Sequence, residues 1–175
     1  MQKIISMQTN GKVEQFQKTI DNSSDETIIG LLTELRERGE SYMLPTIISL
    51  LFGSRSESLK NEVVNFLVDL KCQSSVEVIT DFIRQNKKSK DIYRLVSVCW
   101  QSRLDFSSHT DIFIDILVHG NYQACLEAFS VIENMIEALS PEMLQDLKRR
   151  IETVKPENPE TQPLVWELQK LLNEF

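Results

Sequence analysis

The chain has 175 residues, enough for a single domain with a substantial core. Its 41% apolar and 26% charged residues exclude a disordered chain, and 5 Gly and 5 Pro are too few for a fold of many tight β-turns. A formal net charge of −7 weighs against a general nucleic-acid binder, which must neutralise phosphates with Lys and Arg, although a local basic stripe can survive on an acidic protein.

The opening residues carry only a short apolar piece, Ile4 to Met7, shorter than the apolar part of a secretory leader. No apolar run approaches the roughly 20 residues needed to span a bilayer, so no membrane association is expected. From about residue 12 the apolar positions recur at i, i+3, i+4 and i+7, which specifies amphipathic helices. The spacing predicts an entry helix at 12–20 and then four helix pairs. These are 26–38 with 43–52, 58–71 with 75–86, 91–104 with 109–119, and 122–138 with 141–154. Gly39, Gly53 and Gly120 fall where helices should stop. Ser140 with Pro141 reads as a cap and first-turn proline, and Ser58 with Asn61 and Glu62 as a similar start. Residues 155–163 (KPENPETQP) contain three prolines and no apolar residue and read as a linker. A final amphipathic helix at 164–175 then caps the last pair. The expected organisation is an N-terminal segment at 1–25, a repeat domain at 26–154, the linker, and the capping helix.

The pairs repeat. Ile28 to Arg36 aligns without a gap on Val63 to Lys71, and Leu44, Ile47, Leu50 and Leu51 fall on Val76, Ile79, Phe82 and Ile83. A further step brings Ile79, Phe82 and Ile83 to Phe113, Ile116 and Leu117. The mean period is near 33, that of helical repeat proteins.

The stretch Glu62 to Ser89 (EVVNFLVDLKCQSSVEVITDFIRQNKKS) resembles a HEAT repeat, and residues 27–57 resemble the same unit with Leu44-Pro45 opening its second helix. The third and fourth units depart from it, with irregular turns and Lys148 at a core-equivalent position. Gly120 to Phe129 with Pro141 resembles part of a tetratricopeptide repeat, but that family needs Ala and Gly at its helix contacts, and this chain has three Ala, all after position 123. The HEAT resemblance ranks first. It implies an all-α superhelix of helix pairs whose second helices line a concave face and contact partner proteins, with no catalytic residue set.

Repeat register then places candidate contacts. Opposite the buried arc Val76, Ile79, Phe82 and Ile83 stands Asp81, aligned with Ser49, Asp115 and Asp146; Glu77 and Asp111 lie one turn earlier. This row is either a solvated face of an acidic protein or an acidic ladder suited to a basic peptide. Between Asp111 and Asp115 the helix is apolar nearly all round, and Ile114 and Val118 are expected to face outward as a hydrophobic contact, or to be covered by a neighbouring helix. Trp166 falls opposite Val165, Leu168 and Leu172 and is an exposed interface candidate, whereas Trp100 beside Ile92, Leu95, Val96 and Cys99 is expected in the core. The basic segments at 84–94 and 148–150 would serve a nucleic-acid reading, but no aromatic residues are interleaved for base stacking.

Cys72, Cys99 and Cys125 form no CxxC and no Cys–His pair of metal-ligand spacing. Reduced thiols and a cytoplasmic location are therefore expected, with Cys99 and Cys125 in helix interiors and Cys72 exposed in a turn. His109 and His119 sit at opposite ends of one helix. No Gly-rich phosphate loop or catalytic motif occurs, so no cofactor, metal or enzymatic activity is expected. The function expected is a protein-interaction module or scaffold using Glu77, Asp81, Asp111, Ile114, Asp115, Val118, Asp146 and Trp166 toward a protein or peptide.

Overall fold

The computed structural model describes residues 2–38 and 41–175, with side chains described for 11–36 and from Ser41 onward. Gly39 lies outside the described residues. Among them the chain forms ten α-helices and no strand: α1 (Gln2–Asp21), α2 (Asp25–Arg38), α3 (Leu44–Ser49), α4 (Glu57–Val68), α5 (Ser75–Asn86), α6 (Ile92–Gln101), α7 (Thr110–His119), α8 (Tyr122–Met135), α9 (Pro141–Glu152) and α10 (Gln162–Leu172). The all-α class and the order of the helix pairs match the sequence reading. The entry helix is longer, beginning at Gln2. Several expected helices end in a short 3-10 turn instead of a further α-turn, at Leu50–Phe52 and Ile136–Ala138.

The helices pack in two rows. In one, α2, α4, α6, α8 and α10 pack each on the next; in the other, α1, α3, α5, α7 and α9 do the same. The rows join through α5 against α6, α7 against α8, and α9 against α10. The apolar arcs explain this arrangement. Ile28 and Leu32 of α2, Leu59 and Leu67 of α4, and Ile79 and Ile83 of α5 are fully buried, as are Ile92 of α6 and Phe113 of α7. Each such side chain contributes about 1.5–3 kcal/mol on burial, so one continuous core runs the length of the rows.

Polar ties recur at about one repeat length. Arg55 reaches across to Asp25 (3.0 Å) and to the backbone oxygens of Ser23 and Ile20, binding the end of α1 and the start of α2 to the loop before α4. The second Asp25 oxygen accepts the Ser56 N–H at 2.8 Å. Lys60 and Asp91 form a buried ion pair at 3.2 Å between α4 and α6. The Asn121 amide donates to the Lys90 carbonyl, and Gln73 exchanges hydrogen bonds with the Asp105 backbone.

Helix starts follow side-chain caps. Ser140 accepts the Met143 N–H, with Pro141 in the first turn, as expected. Asn121 caps α8 through the Ala124 N–H. The start assigned to Ser58 is corrected: Ser56 caps α4 by accepting the Leu59 N–H, so Ser58 already lies within the helix. Gly53 and Gly120 do follow helix ends, but in extended backbone instead of the left-handed form. Gly120 is required by close approach. A Cβ there would stand 2.6 Å from the Ile116 carbonyl oxygen and 3.3 Å from Cys125 Sγ. The span 155–163 is tied down: Glu157 N–H donates to the Val118 carbonyl at 2.8 Å, and Thr161 is fully buried. No described helix is long and apolar enough to cross a membrane.

Gly120→Ala is expected to destabilise the protein by about 1–3 kcal/mol through this clash, read as a lower urea midpoint; an unchanged midpoint would show that the α7–α8 junction yields freely. Hydrogen bonds from Ser56, followed by Arg55, hold the Asp25 carboxyl below its ordinary 3.8. A depressed folded value means that its stabilisation is complete above about pH 4 and is lost as the pH falls through the lowered value. Asp25→Asn is therefore expected to lower stability at neutral pH and to flatten the acid limb of the urea-midpoint profile. An acid limb unchanged in slope would count against this role.

Candidate partner-binding groove

The second helices of the pairs present one flank of the odd-numbered row, and four of the residues singled out in the sequence meet there. A groove of about 580 Å³ runs between α5, α7 and α9. Ile112, Ile114 and Val118 of α7 form its apolar floor, and Arg84, Lys87, Asp111, Asp115 and Arg150 form its walls. Of the two readings of Ile114, outward or covered by a neighbouring helix, the second holds. Ile114 is only 8% exposed, because α5 and α9 pack against α7 from both sides, and Val118 is half-buried. The apolar face of α7 is thus mostly covered, with its edge showing at the bottom of the groove.

The carboxylates of the row carry counter-ions. Asp81 meets Arg84 at 3.2 Å, and the same guanidinium lies 3.8 Å from Asp111 on the next helix. Asp115 meets Lys87 at 2.8 Å and His119 Nε2 at 3.4 Å. The other ring nitrogen of His119 lies 2.9 Å from Glu157, so this imidazole bridges α7 to the Pro-rich span. Glu77 faces His109 at 3.4 Å, and Asp146 pairs with Arg149 and, at 3.8 Å, with Arg150. Ser49, on α3, is exposed and bonds its own helix at the Thr46 carbonyl. Charges of opposite sign alternate between α5 and α7, while Asp146 is paired within α9. The groove itself is lined by three cations and two carboxylates, so its field is mixed.

Sequence reasoning assigned Arg84, Lys87 and Arg150 to solvated basic segments and missed their place in the groove. The signal lay in spacing: Arg84 and Arg149 stand three residues after Asp81 and Asp146, where a helix brings side chains together. The pairs from Arg84 to Asp111 and from Lys87 to Asp115 depend on how helices stack. The same pairing bears on phosphate binding. Arg94, from the first basic segment, packs largely buried against Asp91 and Glu57, and among the described residues only Lys88, Lys90 and Lys148 of the two segments lack an ion pair.

The remaining candidates lie elsewhere. Trp166 is 62% exposed on α10, in the other row, and does not line the groove. Trp100 is corrected from core to surface: it is 39% exposed, at the border of the α6 buried arc, and its indole N–H donates to Glu127 of α8 at 2.7 Å. Cys72 sits at an apolar cavity of about 440 Å³ between the ends of α2 and α4 and the start of α3, its thiol lowered by hydrogen bonding with Ser74 at 3.0 Å. Burial pushes the Cys125 thiol up to about 11 and raises Cys99 further. Among the described residues no cluster of His, Cys, Asp and Glu could hold a metal ion.

Comparison with protein-family models, with curated proteins and with solved structures finds no match to this chain. What fold and groove together define is an all-α protein of two stacked helix rows with a mixed-charge groove across three helices of one row.

In native protein, one thiol, Cys72, is expected to react with an aromatic disulfide reagent at neutral pH, and three after denaturation, since the thiolate is the nucleophile. Rapid labelling of two or more thiols in the native state would contradict the burial of Cys99 and Cys125.

Proposed function

We propose that this chain is a HEAT-like interaction module that binds a partner polypeptide along the α5–α7–α9 flank without catalysing a reaction. The observation that supports it most is that Asp111, Ile114, Asp115 and Val118, one stripe of α7, line a groove walled by Arg84 and Lys87 from α5 and its end and by Arg150 of α9. A groove made by stacked helices offers a partner segment an apolar strip at its base and charges at fixed intervals along its walls. The apolar edge of Ile114 and Val118 supplies affinity, and the alternating charges supply register and orientation. Because the walls carry both signs, the fitting partner is a segment with an apolar anchor and charges of both signs, instead of a uniformly basic peptide. The ion pairs already in place must be exchanged on binding, which favours recognition by matching charge positions over net attraction.

The test is affinity capture from native lysate with the wild-type chain and with Val118→Glu/Asp115→Lys. A stoichiometric protein retained by the wild type is expected to be lost, with affinity at least about tenfold lower, from the double variant. Undiminished capture would remove the groove from the function. Salt-sensitive binding of a nucleic-acid duplex by the wild type would favour the basic segments instead.

A further inference from the structure

The outward face of α8 carries a pattern that the groove does not use. Tyr122, Leu126, Phe129, Glu133 and Glu137 follow one another at intervals of three and four residues, so they lie along one stripe of α8 and the 3-10 turn that continues it. Tyr122 and Leu126 are 46% and 42% exposed, and Phe129 is half-buried. Trp100 of α6, also part-exposed, bonds Glu127 on another side of α8 from this stripe. Among the described residues, half of the exposed large hydrophobic side chains therefore gather on α8 and its neighbour: Trp100, Tyr122 and Leu126 out of six.

The second half of the stripe is anionic. Residues 122–138 contain Glu127, Glu133 and Glu137 and no Asp, Lys or Arg. Glu133 and Glu137 are exposed and, among the described residues, form no ion pair; Arg103, which lines the crevice between the end of α6 and α8, pairs with neither. Their position works against the helix. The C-terminal end carries partial negative charge, so cations belong there. Lys18 in α1, Arg84 in α5, Arg149 and Arg150 in α9, and Lys170 in α10 follow that rule. α3, α4, α6 and α8 lack a basic residue in the last turn, and of these four α8 alone places a carboxylate there, Glu133. On the α5–α7–α9 flank Asp81, Asp111, Asp115 and Asp146 each meet Lys or Arg; here, among the described residues, two carboxylates at an unfavourable helix end meet none. A local rule broken without compensation in the fold marks a surface completed by something else.

We propose that this stripe docks a basic amphipathic helix of a partner protein. The partner's apolar side chains cover Tyr122, Leu126 and Phe129, and its Lys or Arg residues meet Glu133 and Glu137. Glu133 and Glu137 lie seven and eleven residues beyond Leu126, about 10 and about 16 Å along the helix axis. An antiparallel partner sets the positive end of its own dipole beside the two carboxylates. The sequence recognised therefore has basic residues roughly two to three turns before a pair of large apolar residues.

The probe is a fluorescent synthetic helix of about 18 residues with Lys on one face of its first half and Leu on the same face of its second half. A second peptide carries Glu in place of Lys. Both are titrated against the full chain, against Glu133→Lys/Glu137→Lys, and against Asp115→Lys. The wild type and Asp115→Lys are expected to bind the Lys peptide equally and saturably, with amide shifts in the NMR spectrum confined to residues 122–138 and their neighbours. The double variant is expected to bind it at least about tenfold more weakly and to prefer the Glu peptide. It is also expected to melt at a higher temperature than the wild type, since cations then occupy the end of α8. Equal binding of the Lys peptide by wild type and double variant would overturn the proposal. So would shifts centred on the α5–α7–α9 groove, a lower melting temperature for the double variant, or self-association of the chain through this stripe in sedimentation, which would make the occupant a second copy. Loss through Asp115→Lys alone points to the groove, and so the two surfaces are tested separately.

Discussion

No helix pair of this chain can bury its own apolar surface, and the architecture follows from that constraint. α6 and α7 are apolar over most of their circumference, wider than the single stripe that one partner covers. Such a helix needs neighbours on several sides. Stacking each helix on the one two elements away, while facing the other row, supplies them with short connections. Phe113 shows the result, fully buried in α7 with its ring edge-on to Phe106 from the preceding loop. The buried Lys60–Asp91 pair belongs to the same logic: it adds little net stability by itself, but it fixes how α4 and α6 sit relative to each other.

The two flanks of the molecule use charge differently. Between α5 and α7, acidic and basic residues pair across the helix boundary. That pattern ties the two helices together and leaves a groove with a mixed field. On α8 the acidic residues stand without counter-ions beside exposed aromatic and aliphatic side chains. A chain of net charge −7 must leave some carboxylates unpaired. What separates Glu133 and Glu137 is their place at the negative end of a helix, in line with an apolar stripe.

Where sequence reading and structure part, the reasons are physical. Ile114 lies opposite Phe113 and Ile116 on a helical wheel, but a wheel has one inside, and a helix flanked by α5 and α9 has three. Trp100 sits one residue beyond the arc that points inward, and a large ring with a polar edge resolves that ambiguity by lying on the surface and bonding Glu127. Ser58 matched a capping pattern, yet Ser56 stood two residues earlier where the Asp25 carboxylate could also receive its N–H. The Pro-rich span 155–163 has no apolar residue, yet Thr161 is buried and Glu157 is joined to α7, because hydrogen bonds to a neighbouring element do not require apolar side chains.

Apolar periodicity determined the helices, their pairing and their repetition near 33 residues, because burial of one face sets the spacing of residues along the chain whatever the partner is. It also aligned Asp81, Asp115 and Asp146 by sequence register, and of the three only Asp115 lines the groove. The spacing of Arg84 after Asp81 and of Arg149 after Asp146 also carried their pairing. That Lys87 met Asp115 and Arg84 reached Asp111, that Ile114 lay under its neighbours, and which basic residues formed the walls of the groove were decided only by the stacking of helices. Those outcomes depend on distances between residues about 30 apart in the chain, such as Lys87 and Asp115, and local pattern carries no measure of such distances.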